Sequence, residues 1–351
     1  MKVGMCSVFH NPHDVHSDAE VYEDNIRLAV QAEPLGFDSL WTVEHHFTDY
    51  CLSPNPFEFL SFMAGKTEHI QLGTMVVVVP WWHDPIRIAE QVSALDHLSR
   101  GRFIFGLGRG AARKEFEAFG IPMDESRTRF NEASAMVIDG LESGFCEYDG
   151  ELIKQIRTEI RPKPLGSFVG RRFGAAVSPE SCHITADLGL GMLIIPQKPM
   201  DLILADVTTH RDAYRARWHE NPPPPIVSLC VYCDEDESRV NEFKNTWVRK
   251  QAENVVRHYE LGGAHFATTK GYESYAAESD AVARQMVELQ IDLQVCGTPE
   301  QCVEHILRLG REIGTDNFVG VFHFAGMPVD VSERSIRLFA QEVVPELQKA
   351  T

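Results

Sequence analysis

Short apolar runs bounded by turn residues recur along the chain, at 2–9, 38–43, 71–79, 102–107, 172–177, 191–195, 226–232 and 317–324. Several of them, MVVVVP and GMLIIP included, are apolar without alternation, the pattern of strands buried on both faces. Between them the period lengthens to that of helices, at 19–35, 57–66, 85–98, 130–144, 179–188, 200–218, 237–261, 299–313 and 332–347. Eight buried strands alternating with helices predict an α/β fold with parallel pairing and right-handed crossovers. Closing the eight into a (β/α)8 TIM barrel leaves no exposed edge, which favours it over an open doubly wound sheet. One domain over 1–351 is expected, since no repeat, low-complexity tract or second composition interrupts it. Two connections exceed a simple turn. One is the basic, proline-bearing stretch 147–170; the other is 263–297, between strands seven and eight, expected to be an active-site lid with the polar-aromatic segment 270–275 inside it.

Charge narrows the partners. With 33 Lys and Arg against 51 Asp and Glu, the net charge of −18 disfavours nucleic acid and anionic membranes. No stretch has the length of a membrane span, and residues 1–10 lack the apolar core of an export signal, so a cytoplasmic location is expected. The eight cysteines then read as reduced core thiols. Cys230 and Cys233 form a CxxC within a strand, where residues three apart face opposite ways; redox or zinc chemistry is the less favoured reading.

In a barrel of this kind the chemistry leaves the carboxyl ends of the strands. That rule gathers His10 and Asn11, then Glu44, His45 and His46, then Trp81, Trp82 and His83, then Gly108, Arg109 and Gly110, and finally Ser178. Neighbouring histidines leaving a strand diverge, HExxH is absent, and no resident metal is expected. A cavity-facing imidazole is the default acid or base near neutral pH, with two packing histidines as the plainer alternative. Arg109 among glycines offers a forked donor where backbone approaches closely. It belongs to a basic island with Arg113, Lys114, Arg127 and Arg129. Ser178 followed by Pro179 reads as a helix start, either a plain cap or an anion site. Together, Arg109, Arg127 and that helix start predict one phosphate. The dinucleotide fingerprint, the P-loop and the GxSxG elbow are missing. By elimination, a mononucleotide such as FMN remains.

The segments FDSLWTVEHHFTDYCLSPNP, LGTMVVVVP, HDPIRIAEQVSALDHLSRGRFIFGLGRG, FGIPMDESR, CGTPEQCVEHI and FAQEVVP closely resemble the bacterial luciferase-like flavin monooxygenases, nearest to the luciferase α-subunit type. The resemblance implies a TIM barrel that uses reduced FMN and molecular oxygen, with a separate flavin reductase, a small-molecule substrate and a homodimeric assembly through helices flanking strands two and three. It implies that His45 lies beside the flavin ring and is needed for a productive flavin peroxide. Arg109 and Arg127 would grip the phosphate, with Ser178, Ser181 and the Val177 backbone around it, and Met75–Val76 would form a non-prolyl cis peptide under the ring. The stretch 263–297 would be the lid, with 270–272 closing over substrate. His10, Trp81, Trp82 and Tyr272 are the substrate-side candidates. The chain departs from the α-subunit pattern at Gly108, where a reactive cysteine is usual, at Ala112, where a tyrosine is usual, and at Trp81 and Trp82, where residues are small. Long-chain aldehyde and light emission therefore do not carry over; an aldehyde, a ketone or a cyclic or aromatic compound stays open. A deazaflavin-dependent hydride transfer and a non-catalytic flavin-binding partner subunit are the alternatives.

Overall fold

A computed structural model of the chain describes residues 1–273 and 280–350; residues 274 and 275 of the expected polar-aromatic segment, and 276–279 of the expected lid, lie outside them. Each of the eight apolar runs forms a strand: β1 (Lys2–Ser7), β2 (Ser39–Thr42), β3 (Gln71–Thr74), β4 (Phe103–Gly108), β5 (Arg172–Ala175), β6 (Gly191–Ile194), β7 (Ile226–Cys233) and β8 (Asn317–Val321). All neighbours pair in parallel, and β1 pairs with β8 through Gly4↔Val319. The ring closes where β6 meets β7, with Leu193 opposite Ile226 and Ile194 opposite Val227. The fold is a closed (β/α)8 barrel.

Successive strand residues feed two cores, as the pleat demands. Val227, Leu229 and Val231 of β7 pack outward under the helices with Phe103, Phe105 and Leu107 of β4. Cys6, Trp41, Ile104, Phe173, Leu193, Ile226 and Val319 fill the barrel interior instead. Cys230 and Cys233 divide between the two cores, as their spacing predicts. Gly73 makes room for the interior indole: a Cβ there would lie 2.3 Å from the Trp41 ring.

Three local features differ from the sequence reading. The run 71–79 is not one strand, because β3 stops at Thr74, the Met75–Val76 peptide is cis, and Val77–Val78 rejoins β4 before a 3-10 turn at Val79–Trp81. The stretch 147–170 is largely an antiparallel hairpin, Phe145–Asp149 with Lys154–Glu159. Its turn is held by the Glu132 carboxylate, which accepts the backbone N–H groups of Glu151, Leu152 and Ile153 at 2.6–2.9 Å. The third is the stretch 263–297, which carries a 3-10 turn (Ala264–Ala267), a helix (Asp280–Leu293) and a short strand (Val295–Gly297) alongside β7. Among the described residues no helix is long and apolar enough to cross a membrane.

Candidate active site

The carboxyl ends of the strands open on a cavity of about 260 Å³. His10 reaches it from beyond β1, His45 from beyond β2, Met75 and Val76 from the break after β3, Arg109 from beyond β4, and Ser178 from beyond β5. Trp81, Arg127, Val177 and Ser181 also border it. Two expected substrate-side residues do not. Trp82 packs edge-on against Phe57 beside the outer core. Tyr272 is fully buried, donates its hydroxyl to the Gly110 carbonyl at 2.7 Å and lies flat under the Arg109 guanidinium, 3.7 Å from its ring centre. Its place is beside the basic corner, because a phenol that stacks on a cation and spends its only proton on backbone has nothing left for the cavity.

That corner has a definite shape. A Cβ built on Gly271 would stand 2.7 Å from Arg109 Nη1 and 3.6 Å from Arg127 Nη2, so both guanidiniums converge on one point. Arg109 Nη2 donates to the Gly271 carbonyl at 2.7 Å, and Arg127 Nη2 donates to Glu180 at 2.9 Å. Arg109 Nη1 and Arg127 Nε are buried without a hydrogen-bond partner among the described residues. Burial, and then the neighbouring Arg109 charge, hold the Arg127 guanidinium below its ordinary pKa. Two neighbouring like charges, each with a buried unspent donor atom, are arranged for a doubly charged anion.

The helix start at Ser178 is less open than the sequence implies. Ser181 Oγ accepts the backbone N–H groups of Ser178 (2.9 Å) and Val177 (3.1 Å), while Ser178 Oγ accepts that of Ser181. The helix Pro179–Asp187 thus caps itself in a reciprocal box, and because the Ser181 hydroxyl donates its proton to the Ser178 carbonyl at 2.8 Å, the Ser178 hydroxyl is the one with a proton to offer an anion. Residues Gly108 and Val76 meet at the cavity floor, where a Cβ on Gly108 would lie 2.5 Å from the valine side chain. Any larger residue at 108 must push the 75–76 segment aside.

His45 borders the same cavity from beyond β2. Its Nδ1 lies 3.1 Å from Glu115 Oε1 and its Nε2 lies 3.3 Å from the Tyr259 hydroxyl. His46 turns away, as divergence predicts, and lies 3.2 Å from Glu44 Oε1, whose other oxygen accepts the Val78 N–H. Burial pushes the Glu44 carboxyl above its ordinary range. His258 stacks on Tyr50 at 4.1 Å and 10° and stands edge-on to His45. His45, Glu115 and His258 bring potential ligand atoms within 4.8 Å of one another, a grouping that sequence spacing could not show. Glu115, Glu180, His258 and Tyr259 all escape a reading of the sequence. Only Glu180 leaves a trace there, as an acid in the first turn of a helix.

Burial holds His10 down to about 3, His258 to about 2 and His323 to about 4. In the unfolded chain these rings take up protons near pH 6.5, so between pH 6.5 and 4 the unfolded state binds more protons than the folded one. Stability is therefore expected to fall as pH drops, by about 1.4 kcal/mol per pH unit for each ring, while Glu44, shifted upward, acts in the opposite direction. Urea midpoints measured from pH 7 to pH 4 check this; a flat profile would contradict it.

A strand-end cavity bordered by an anion corner and a held imidazole makes this a barrel enzyme. The family model described as luciferase-like monooxygenase matches residues 1–317, and the chain belongs to that family. It is 28% identical over 356 residues to the alkanal monooxygenase alpha chain of Photobacterium leiognathi, covering 99% of both chains. It is 30% identical over 253 residues to the oxygenase component of flavin-dependent trigonelline monooxygenase from Acinetobacter baylyi, covering 68% of this chain and 70% of that one. Among solved structures, the monooxygenase RslO1 from Streptomyces bottropensis superposes with a TM-score of 0.80 at 26% identity, over 98% of this chain and 99% of that one.

Proposed function

We propose that the protein is the oxygenase component of a two-component monooxygenase, which takes reduced FMN from a separate flavin reductase and uses molecular oxygen to oxygenate a small aldehyde, ketone or cyclic or aromatic substrate. The observation that carries this reading is the convergence of Arg109 and Arg127 with unspent, buried donors beside the Ser178 and Ser181 hydroxyls. Those groups fit a terminal phosphate, and the apolar floor of Met75, Val76 and Gly108 fits a flat ring. Bound reduced FMN supplies the electrons and the carbon at which oxygen is activated.

The chain's own residues bind, orient and exclude water. Arg109 and Arg127, each with an unspent donor, would hold and neutralise the phosphate. His45 offers Nε2 as a site that takes up and returns a proton at the cavity. Trp81, braced by Phe116 and Phe119, limits the substrate side. The stretch 263–297 acts as the lid that keeps water out, and its root is clamped by the forked pair of Arg113 with Glu260 at 2.7 and 2.8 Å. A homodimer through the helices Pro56–Ala64 and Ile86–Leu98 accords with the exposed Phe62 and Leu98 they carry.

The test is to titrate the purified protein anaerobically with reduced FMN and with a reduced deazaflavin, then admit air. Tight binding of reduced FMN followed by oxygen consumption in the site is the expected result. Binding of the deazaflavin alone, with no oxygen consumed, would replace this reading with hydride transfer.

A further inference from the structure

Resting on the reading of His45 as the imidazole beside the flavin, we propose that Glu115 is a positioning residue that fixes the Nδ1–H tautomer of His45, and that Tyr259 is the proton partner of the opposite nitrogen. Glu115 sits on the short helix Arg113–Ala118 that follows the Arg109 turn, and it is wholly buried. One of its oxygens, Oε1, accepts the backbone N–H of His46 at 2.7 Å. A peptide N–H can only donate and an ionised carboxylate can only accept, so that oxygen serves both neighbours as an acceptor. His45 Nδ1 lies 3.1 Å from the same atom and must therefore carry a proton and donate it. The hydrogen bond at one ring nitrogen decides the state of the other. Nε2 is left with its lone pair toward the Tyr259 hydroxyl, which donates to it at 3.3 Å.

The surroundings leave the ring little else to do. Tyr50 and His258 both stand edge-on to His45, at 5.0 Å and 88° and at 4.9 Å and 86°. His258, held neutral by burial and by its histidine neighbours, lies with Nε2 3.8 Å from the second Glu115 oxygen. Neither atom has a hydrogen-bond partner among the described residues. The plane of His45 is thus set by aromatic walls and its proton by one carboxyl group, the logic by which a buried acid orients a catalytic imidazole. A proton taken up at Nε2 gives a doubly protonated ring whose Nδ1–H still rests on Glu115; loss of that same proton restores the neutral ring. Tyr259 ends the helix Arg249–Tyr259, one residue before Glu260, and Arg113, which clamps Glu260, shares its helix with Glu115. The root of the 263–297 stretch and the proton position of His45 therefore rest on one support.

A metal ion held by His45, Glu115 and His258 would need Nδ1 stripped of the proton that Oε1 calls for. For that reason the geometry favours a proton.

The experiment records 15N spectra of histidine-labelled, flavin-free protein, with the His45 signal assigned by its loss in His45→Gln. The expected state of the wild type is Nδ1–H. An Nε2–H state overturns the proposal, and so does a transition metal recovered in equal amount with the purified protein. In Glu115→Leu the signal is expected to shift toward Nε2–H, whereas Glu115→Gln, which keeps an acceptor oxygen, and Tyr259→Phe are expected to keep Nδ1–H. An unchanged tautomer in Glu115→Leu overturns the proposal. If that variant does not fold, the wild-type spectrum still decides. With reduced FMN bound and oxygen admitted in a stopped-flow mixer, Glu115→Leu and Tyr259→Phe are each expected to regain the oxidised flavin spectrum at least about 10-fold faster than wild type, a conservative figure for a mispositioned imidazole; wild-type kinetics in both variants would overturn it. Failure of wild-type protein to bind FMN would defeat the flavin reading alone, because the tautomer is read without flavin.

Discussion

Replacing His45 with alanine is expected to leave FMN affinity nearly unchanged and to cut product formed per reduced flavin consumed by roughly 100-fold, the low end of what a positioned acid or base contributes. The separation follows from geometry. His45 is held by Glu115 and Tyr259, whereas Arg109 and Arg127 converge on Gly271. Removing the imidazole takes away a proton site without touching the phosphate site. The missing product should appear as hydrogen peroxide, since the flavin still consumes oxygen. Equilibrium titration with FMN, together with product and peroxide yields, checks both halves. Full retention of product yield in His45→Ala would remove the histidine from the chemistry.

The second large effect concerns the corner itself. Arg109→Met, which keeps the length of the side chain and removes its charge, is expected to weaken FMN binding about 30-fold or more, since a hydrogen bond to a charged group contributes roughly 1.5–3 kcal/mol. Riboflavin, which has the ring and no phosphate, should bind the variant and the wild type alike. Equal losses for FMN and riboflavin would place Arg109 against the ring instead. Glu180→Gln is the reciprocal arm. Its carboxylate, 60% exposed, competes for Arg127, so its loss should tighten FMN binding by a few-fold, the scale of a partly exposed ion pair.

Both expectations use residues whose roles the sequence suggests and whose partners it does not reveal. His45 and Arg109 are legible because they leave the ends of apolar runs, and a barrel sends every such end to one face. The hairpin between Phe145 and Glu159 is not, because its strands are largely polar and, Cys146 apart, not buried, so burial imprints no period on them. Trp82 and Tyr272 were expected at the substrate. Identity alone marks an indole or a phenol as suited to a flat ligand, but which way it turns is settled by Phe57 in one case and by Arg109 with the Gly110 carbonyl in the other.

What the sequence determined by itself is whatever depends on near neighbours: eight buried strands, the helices between them, the closed parallel barrel they imply, and the Ser178–Pro179 helix start. What only the tertiary structure decided is pairing across distance. Glu115 reaches His45 over 70 residues, Tyr259 reaches it over 214, and the Gly271 carbonyl reaches Arg109 over 162. Period and turn chemistry act within a few residues, so they are written locally. Burial of a carboxyl group, the state of an imidazole and the partner of a guanidinium depend on what the closed barrel brings alongside, and no local pattern encodes that.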